Sequence, residues 1–282
     1  MYQVLQKTKK NSALRYLIRN WELYAFMLPA LVYLVLYCYY PMYGVQIAFK
    51  DYRIAQGISR SEWVGLKHFS NFLGNPTSRG LISNTLIISV YSLVAGFPLP
   101  ILFSLMLNEI RHSNYKKIIQ TVSYAPHFIS VVVMVSMLNL FLDQNSGIIN
   151  KIIVLLGGDP IDFMTKAYMF PSIYVFSGIW QGLGWSSVIY MSALSGVDPE
   201  LHEAAMIDGA TRLKRIYHIN FKGILPTITI MLILQTGNLM TVGFEKAFLM
   251  QNPFNLERSE IISTFVYKMG LQYRQYSFST AI

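Results

Sequence analysis

GLISNTLIISVYSLVAGFPLPILFSLMLN, residues 80–108, contains no Asp, Glu, Lys or Arg. A helix needs about 20 predominantly apolar residues to cross a hydrocarbon core of ~30 Å, and this stretch exceeds that length. Four further stretches without formal charge flank it, at 23–49, 118–142, 167–197 and 223–244. They account for the composition: over 282 residues the chain is 53% hydrophobic and only 13% charged, outside the balance of a soluble domain. Backbone N–H and C=O groups in lipid must find partners inside the protein, so stretches of this kind fold as helices. The expectation is an all-α polytopic membrane helix bundle with five complete spans, and residues 277–282 as the opening of a sixth that is cut short.

The segments between the spans carry the charge. Lys7, Lys9, Lys10, Arg15 and Arg19 against the lone Glu22 place residues 1–22 in the cytoplasm under the positive-inside rule. Counting crossings from there puts 109–117 and 198–222 on the cytoplasmic side, and 50–79, 143–166 and 245–276 on the other. The first span is too long for a signal-peptide core and is expected to be retained. The chain then divides into the cytoplasmic segment 1–22, the first transmembrane helix with its outer loop at 23–79, and the remainder, 80–282, which contains the loop 198–222. Pro29, Pro41, Pro98, Pro100, Pro126 and Pro171 lie within spans and are expected to bend or interrupt them.

Several function classes recede on the same grounds. The net charge of +9 is scattered over many loops, which suits anionic lipid headgroups and argues against nucleic acid as a partner. Cys38, the only cysteine, falls inside the first span and reads as a small buried hydrophobe, so no thiolate metal cluster is expected. His-Glu-x-x-His and Gly-x-x-x-x-Gly-Lys-Ser/Thr are absent, and no cofactor is expected.

The cytoplasmic loop 198–222 holds the most specific pattern. Asp198-Pro199 reads as a helix start, and Gly209 is placed to end that helix in a left-handed conformation about ten residues later. Leu201, Ala204, Ala205 and Asp208 recur at i, i+3, i+4 and i+7, giving a narrow smooth face with one acid to meet a basic partner and Glu203 beside it. A second amphipathic stretch, with Leu213, Ile216, Tyr217 and Asn220 on one side, leads into the fifth span. A surface helix lying in the lipid headgroups fits these residues as well as a protein-docking knob does.

Glu203-Ala204-Ala205-x-x-Asp208-Gly209-Ala210, followed by Ile219 and Pro226, resembles the signature loop of the permease subunits of ATP-binding-cassette importers. Phe49-Lys50-Asp51-Tyr52, Trp63-Val64-Gly65-Leu66, Tyr124-Ala125-Pro126 and Trp180-Gln181-Gly182 extend the likeness along the chain, toward the carbohydrate-uptake branch. The resemblance implies that this loop couples to a separate ATPase dimer through Glu203, Ala204, Ala205, Asp208 and Gly209. It also implies a second homologous permease, an extracellular or periplasmic solute-binding protein, a sugar or oligosaccharide as cargo, and no bond chemistry in this subunit. The chain departs from the family where Ile219-Asn220-Phe221-Lys222 stands in place of Ile-x-Leu-Pro, and it supplies five spans where six or more are usual.

Candidates for the solute path lie in the later spans. Gln235, Asn238 and Thr241 fall three apart, as one polar helical stripe that should face the bundle interior. Trp180 and Trp185 sit within a span, and Gly178 and Gly182 form a pair that lets another helix approach. By the resemblance, Gly182, Trp185 and Asn238 fall where sugar sites are lined, with Tyr124 and His127 as further candidates. The uncharged spans suit a neutral solute over a peptide, phosphate or polyamine. An intramembrane lipid-modifying enzyme would draw on Asp143, Asp159, Asp162, Glu245 and Glu260, which show no paired spacing.

Overall fold

A computed structural model describes Tyr16 and residues 19–282. Lys7, Lys9, Lys10 and Arg15, on which the cytoplasmic placement of residues 1–22 rests, lie outside the described residues. In chain order the helices used below are α1 (Trp21–Phe49), α2 (Pro76–Asn108), α3 (Ser113–Phe128), α4 (Val131–Leu142), α5 (Phe170–Ser195), α6 (Pro199–Ile207), α7 (Arg212–Phe221), α8 (Leu225–Gly237), α9 (Phe244–Met250) and α10 (Tyr276–Ala281). Among the described residues the only sheet is a two-stranded antiparallel one, β1 (Lys50–Asp51) and β2 (Glu62–Trp63), with Lys50 opposite Trp63.

The chain forms two compact units, one ending at Phe72 and completed by Met269–Ile282, the other Leu73–Lys268. In the first, α1 is apolar around its whole circumference and buries none of its most apolar window, as suits a helix solvated by lipid. Cys38 is accordingly exposed on α1, not buried as its size suggests. The expected opening of a sixth span is the short α10, which packs on the Tyr43–Phe49 end of α1. There the Tyr52 N–H donates to Ser277 Oγ at 2.8 Å, and the rings of Tyr52 and Tyr276 meet edge to face at 6.0 Å.

The second unit is organised around α5. Its 26 uncharged residues give a rod of about 39 Å at 1.5 Å per residue. Ile88, Met134, Phe170, Tyr174 and Ala247 form one core along it, and Ile101, Leu105, Tyr190, Leu194 and Ile224 a second. The uncharged stretches do not all become straight crossings. α1 and α2 are continuous, apolar and long enough to cross, while α3 with α4 is bent by 102° and α7 with α8 by 60°. α5 has the length, but its Ser, Gly, Gln and Trp residues leave it outside that apolar set. Proline explains much of this. Pro126 sits in the 3-10 turn Ala125–Phe128 at the sharp bend, and Ser130 restarts the chain by accepting the Val133 N–H at 3.3 Å. Pro171, by contrast, occupies the first turn of α5, where a missing N–H costs nothing, so it starts the helix and does not bend it.

Candidate functional site

The loop between α5 and α8 folds as its capping residues dictate. Asp198 Oδ1 accepts the Glu200 N–H at 2.9 Å and Pro199 fills the first turn of α6. At the other end Gly209 takes φ of 72°, and the Ala210 N–H reaches back to the Ala205 carbonyl at 2.8 Å. Thr211 then caps α7, its Oγ1 accepting the Lys214 N–H at 3.4 Å. No residue of α6 is buried. Glu203, Ala204, Asp208 and Gly209 are exposed and Ala205 is half-buried, while Met206 and Ile207 stand 52% and 87% exposed. A short helix with uncovered apolar side chains and a small-residue face offers a surface for a partner protein.

Behind this surface a polar cluster ties the loop to the bundle. Arg212 Nε donates to Glu109 Oε2, and Arg212 Nη2 to the Glu109 carbonyl at 2.6 Å, at the end of α2. Asn220, only 1% exposed, donates from Nδ2 to Glu109 Oε1 at 3.4 Å. Its amide oxygen can only accept, so His202 of α6 donates to it from Nε2 at 2.8 Å. Glu109 and Asn220 therefore join α6, α7 and the end of α2 in one connected cluster. Asn220 belongs to a π-helical turn, Ile216–Phe221, which precedes the 60° bend into α8, with Pro226 in the first turn beyond it.

Two adjoining cavities open among α2, α5, α8 and α9, sharing Ser92, Tyr174 and Gln235 as walls. The first, of about 390 Å³, is lined also by Ser89, Asn238 and Thr241. Among the described residues Ser89 Oγ is buried there without a hydrogen-bond partner. Gln235, Asn238 and Thr241 reach this cavity by a different route from the helical stripe: α8 stops at Gly237, and Asn238 turns its Nδ2 back onto the Leu234 carbonyl at 3.0 Å. The turn, not a shared helical face, gathers the three.

The second cavity, of about 310 Å³, is lined by Gly178, Gln181, Gly182, Ser186 and Lys246 besides the shared walls. Lys246 corrects the expectation of uncharged surroundings for the solute. Assigned by sequence to an outer loop, it lies on α9, 8% exposed, with Nζ donating to the Tyr174 carbonyl at 2.6 Å and 4.4 Å from the centre of that ring. The glycines are corrected too. A Cβ at Gly178 would sit 3.1 Å from Lys246 Nζ, and one at Gly182 would meet nothing nearer than 4.0 Å, so both leave room in the cavity. The close helix approach is at Gly184, where a Cβ would fall 2.1 Å from the Ser123 carbonyl oxygen of α3.

The profile of the family described as "Binding-protein-dependent transport system inner membrane component" matches residues 96–282. The chain belongs to that family. It is 43% identical to the polygalacturonan/rhamnogalacturonan transport system permease protein YteP of Bacillus subtilis, over 99% of this chain and 87% of that one, and 41% identical to Protein LplB of the same organism, over 99% and 88%. Among solved structures it superposes on a crystal structure of a bacterial ABC transporter involved in the import of the acidic polysaccharide alginate, with a TM-score of 0.89 and 37% identity over 96% of this chain and 91% of that one. A crystal structure of a bacterial alginate ABC transporter in complex with alginate pentasaccharide-bound periplasmic protein matches with a TM-score of 0.87, at 37% identity over 95% and 89%.

Within this inner membrane transport component the sequence-predicted path residues fall into two groups. Gly182, Gln235, Asn238 and Thr241 surround the cavities, but Trp185, His127 and Tyr124 do not line them. The Trp185 indole stacks on His127 with ring centres 4.7 Å apart and planes at 2°, and meets Phe128 edge-on at 5.8 Å. Tyr124, half-buried, closes over the Gly184 position, while His127, Phe128 and Trp185 form an exposed cluster at the α3–α4 bend. Trp180 lines a separate apolar cavity of about 490 Å³ with Met134 and Phe141. Sequence reasoning missed Ser89, Ser92, Tyr174 and Lys246. At Gly243, just before α9, the Tyr174 hydroxyl stands 3.1 Å from where a Cβ would be.

Two of the acids that an enzyme would draw on, Asp143 and Glu260, are held by other groups. The Ser146 N–H, the Ser146 hydroxyl and the Asn145 N–H hold the Asp143 carboxyl below the usual carboxylate range. Glu260 pairs with Lys268 at 2.7 Å. Neither is set against a second carboxylate as general acid and base.

Proposed function

We propose that this chain is the permease subunit of an ATP-binding-cassette importer, and that with a second, homologous permease it forms the translocation path for a sugar or oligosaccharide. An ATPase dimer grips α6 through Glu203, Ala204, Ala205, Asp208 and Gly209, and an extracellular or periplasmic binding protein delivers the cargo. The loop 198–222 and residues 1–22 face the cytoplasm. Bond chemistry belongs to the ATPase; this subunit converts its closure into rearrangement of the spans. The observation that carries the reading is the unburied α6 fastened to α2 and to the foot of α8 through Glu109 and Asn220. A force applied to such a knob reaches the helices that wall the cavities. The exposed Trp185–His127 stack, with Tyr124 half-buried beside the same bend, is then a wall of the path that the second permease completes. The naming of YteP for polygalacturonan and rhamnogalacturonan, and of the solved neighbours for alginate, favours a carbohydrate cargo.

Two substitutions test this in the assembled transporter. Glu203→Lys reverses the charge beside the docking face, and Gly209→Pro cannot adopt the φ of 72° found there. Both should abolish co-purification of the ATPase and cargo uptake together. Normal uptake by a stably expressed variant would rule out the coupling role.

A further inference from the structure

Resting on that permease reading, we propose that Lys246 recognises a carboxylate on the cargo, so that the oligosaccharide passed by this chain is acidic and built from uronate rings. Buried lysines are rare unless paired, because an ammonium removed from water needs a counter-charge. Lys246 is 8% exposed, and the ion pairs among the described residues are Arg53–Asp51, Arg212–Glu109 and Lys268–Glu260, none of which includes it. The adjacent Glu245 points to the surface and is exposed.

What holds Lys246 is neutral: the Tyr174 carbonyl at 2.6 Å and the Tyr174 ring at 4.4 Å. An ammonium has three donors, and Nζ stands at the wall of the second cavity with that one hydrogen bond made. Gly178 leaves it room, since a methyl group there would press on Nζ at 3.1 Å. Around it Ser92, Ser186 and Gln235 supply hydroxyls and an amide of the kind that bonds sugar hydroxyls. The cavities, of about 310 and 390 Å³, fall in the range of about 300–1,000 Å³ typical of small-molecule sites. A carboxylate entering here completes an ion pair among these hydroxyl and amide groups. A neutral ring leaves the ammonium unpaired. A site built around a charged partner rejects the analogue that lacks it, and a charge-assisted hydrogen bond of this type corresponds to discrimination of roughly ten- to a hundredfold.

The test uses the complete assembly, with both permeases, the ATPases and the binding protein, in phosphatidylcholine vesicles that offer no anionic headgroup. Trigalacturonate and trimannuronate are compared with their carboxyl-reduced, neutral counterparts. The binding protein contributes equally to wild type and variant, so a change in the acidic-to-neutral ratio on substitution reports on this chain. The wild type is expected to pass a uronate trimer in preference to its neutral form. Lys246→Met should lower uronate passage at least tenfold while sparing the neutral trimer and ATPase association, and Lys246→Arg should keep a preference for the acid. Gly178→Ala, which displaces Nζ, should shift the ratio in the same direction and serves if the Met variant does not assemble. An unchanged ratio in Lys246→Met or in Gly178→Ala, or a wild type that passes neither uronate or only the neutral forms, overturns the assignment. Failure of the chain to associate with an ATPase would instead overturn the permease reading.

Discussion

Removing the amide of Asn220 should uncouple the transporter. Leucine at this position keeps the number and branching of side-chain heavy atoms and removes two hydrogen bonds, the one from His202 at 2.8 Å and the longer one to Glu109 at 3.4 Å. A neutral hydrogen bond of good length is worth about 1 kcal/mol net, and one to a carboxylate about 1.5–3 kcal/mol, with the lower end appropriate at the longer distance. Asn220→Leu should therefore cost about 2–3 kcal/mol at a residue that is 1% exposed. Arg212→Gln removes an ion pair whose side chains are 59% and 23% exposed, where solvent screening leaves about 0.2–1 kcal/mol, and the Nη2 bond to the Glu109 carbonyl, worth about 0.5 kcal/mol at so exposed a donor. The buried amide should outweigh the formal charge. Functionally, α6 freed from Asn220 can follow the ATPase without moving α2 or the foot of α8. In reconstituted vesicles the Asn220→Leu permease should retain its ATPase and continue hydrolysis, while cargo moved per ATP falls several-fold; thermal unfolding should rank Asn220→Leu below Arg212→Gln. Wild-type coupling in Asn220→Leu, or a larger stability loss from Arg212→Gln, would refute the reasoning.

Further outcomes follow from the packing around α5 and from the cavity walls. Gly184→Ala places a methyl 2.1 Å from a backbone oxygen that no side-chain rotation can relieve, so α3 must move away and stability should drop by about 3 kcal/mol, at the upper end of overpacking effects; Gly182→Ala, with its nearest neighbour at 4.0 Å, should unfold within about 0.5 kcal/mol of wild type in the same thermal assay. Gln235→Ala and Asn238→Ala, on the cavity walls, should slow cargo passage without loss of ATPase co-purification, and unchanged uptake kinetics in both would remove the cavities from the path.

The helical, membrane-spanning character was legible because it depends on long runs of apolar residues, and a hydrocarbon solvent reads that property directly. The loop was legible at residue level: Asp198, Pro199 and Gly209 act through local backbone geometry, and each stands where the chain pattern places it. Helix breaks were harder. Pro126 and Pro171 look alike in sequence, yet one sits in a 102° bend and the other in a first turn, because the outcome depends on where the hydrogen-bond ladder starts relative to the proline. The cavity was only half legible. Gln235, Asn238 and Thr241 were found through their polarity, although the helix ends before two of them. Lys246 was hidden by a long-range return of α9 onto Tyr174, a contact 72 residues apart that no local pattern encodes. Trp185 illustrates the converse: its place in a charge-free stretch suggested an interior lining, and the structure stacks it on His127 at a largely exposed surface.

The claim that force enters through α6 is tested most directly by labelling a single thiol. With Cys38→Ser removing the sole native cysteine, Glu203→Cys puts one thiol on the exposed side of α6. A membrane-impermeant maleimide should leave it unmodified in intact cells, label it in inverted vesicles stripped of ATPase, and lose access once the ATPase is added back. Labelling from outside intact cells, or labelling in inverted vesicles that is indifferent to the ATPase, would contradict the account.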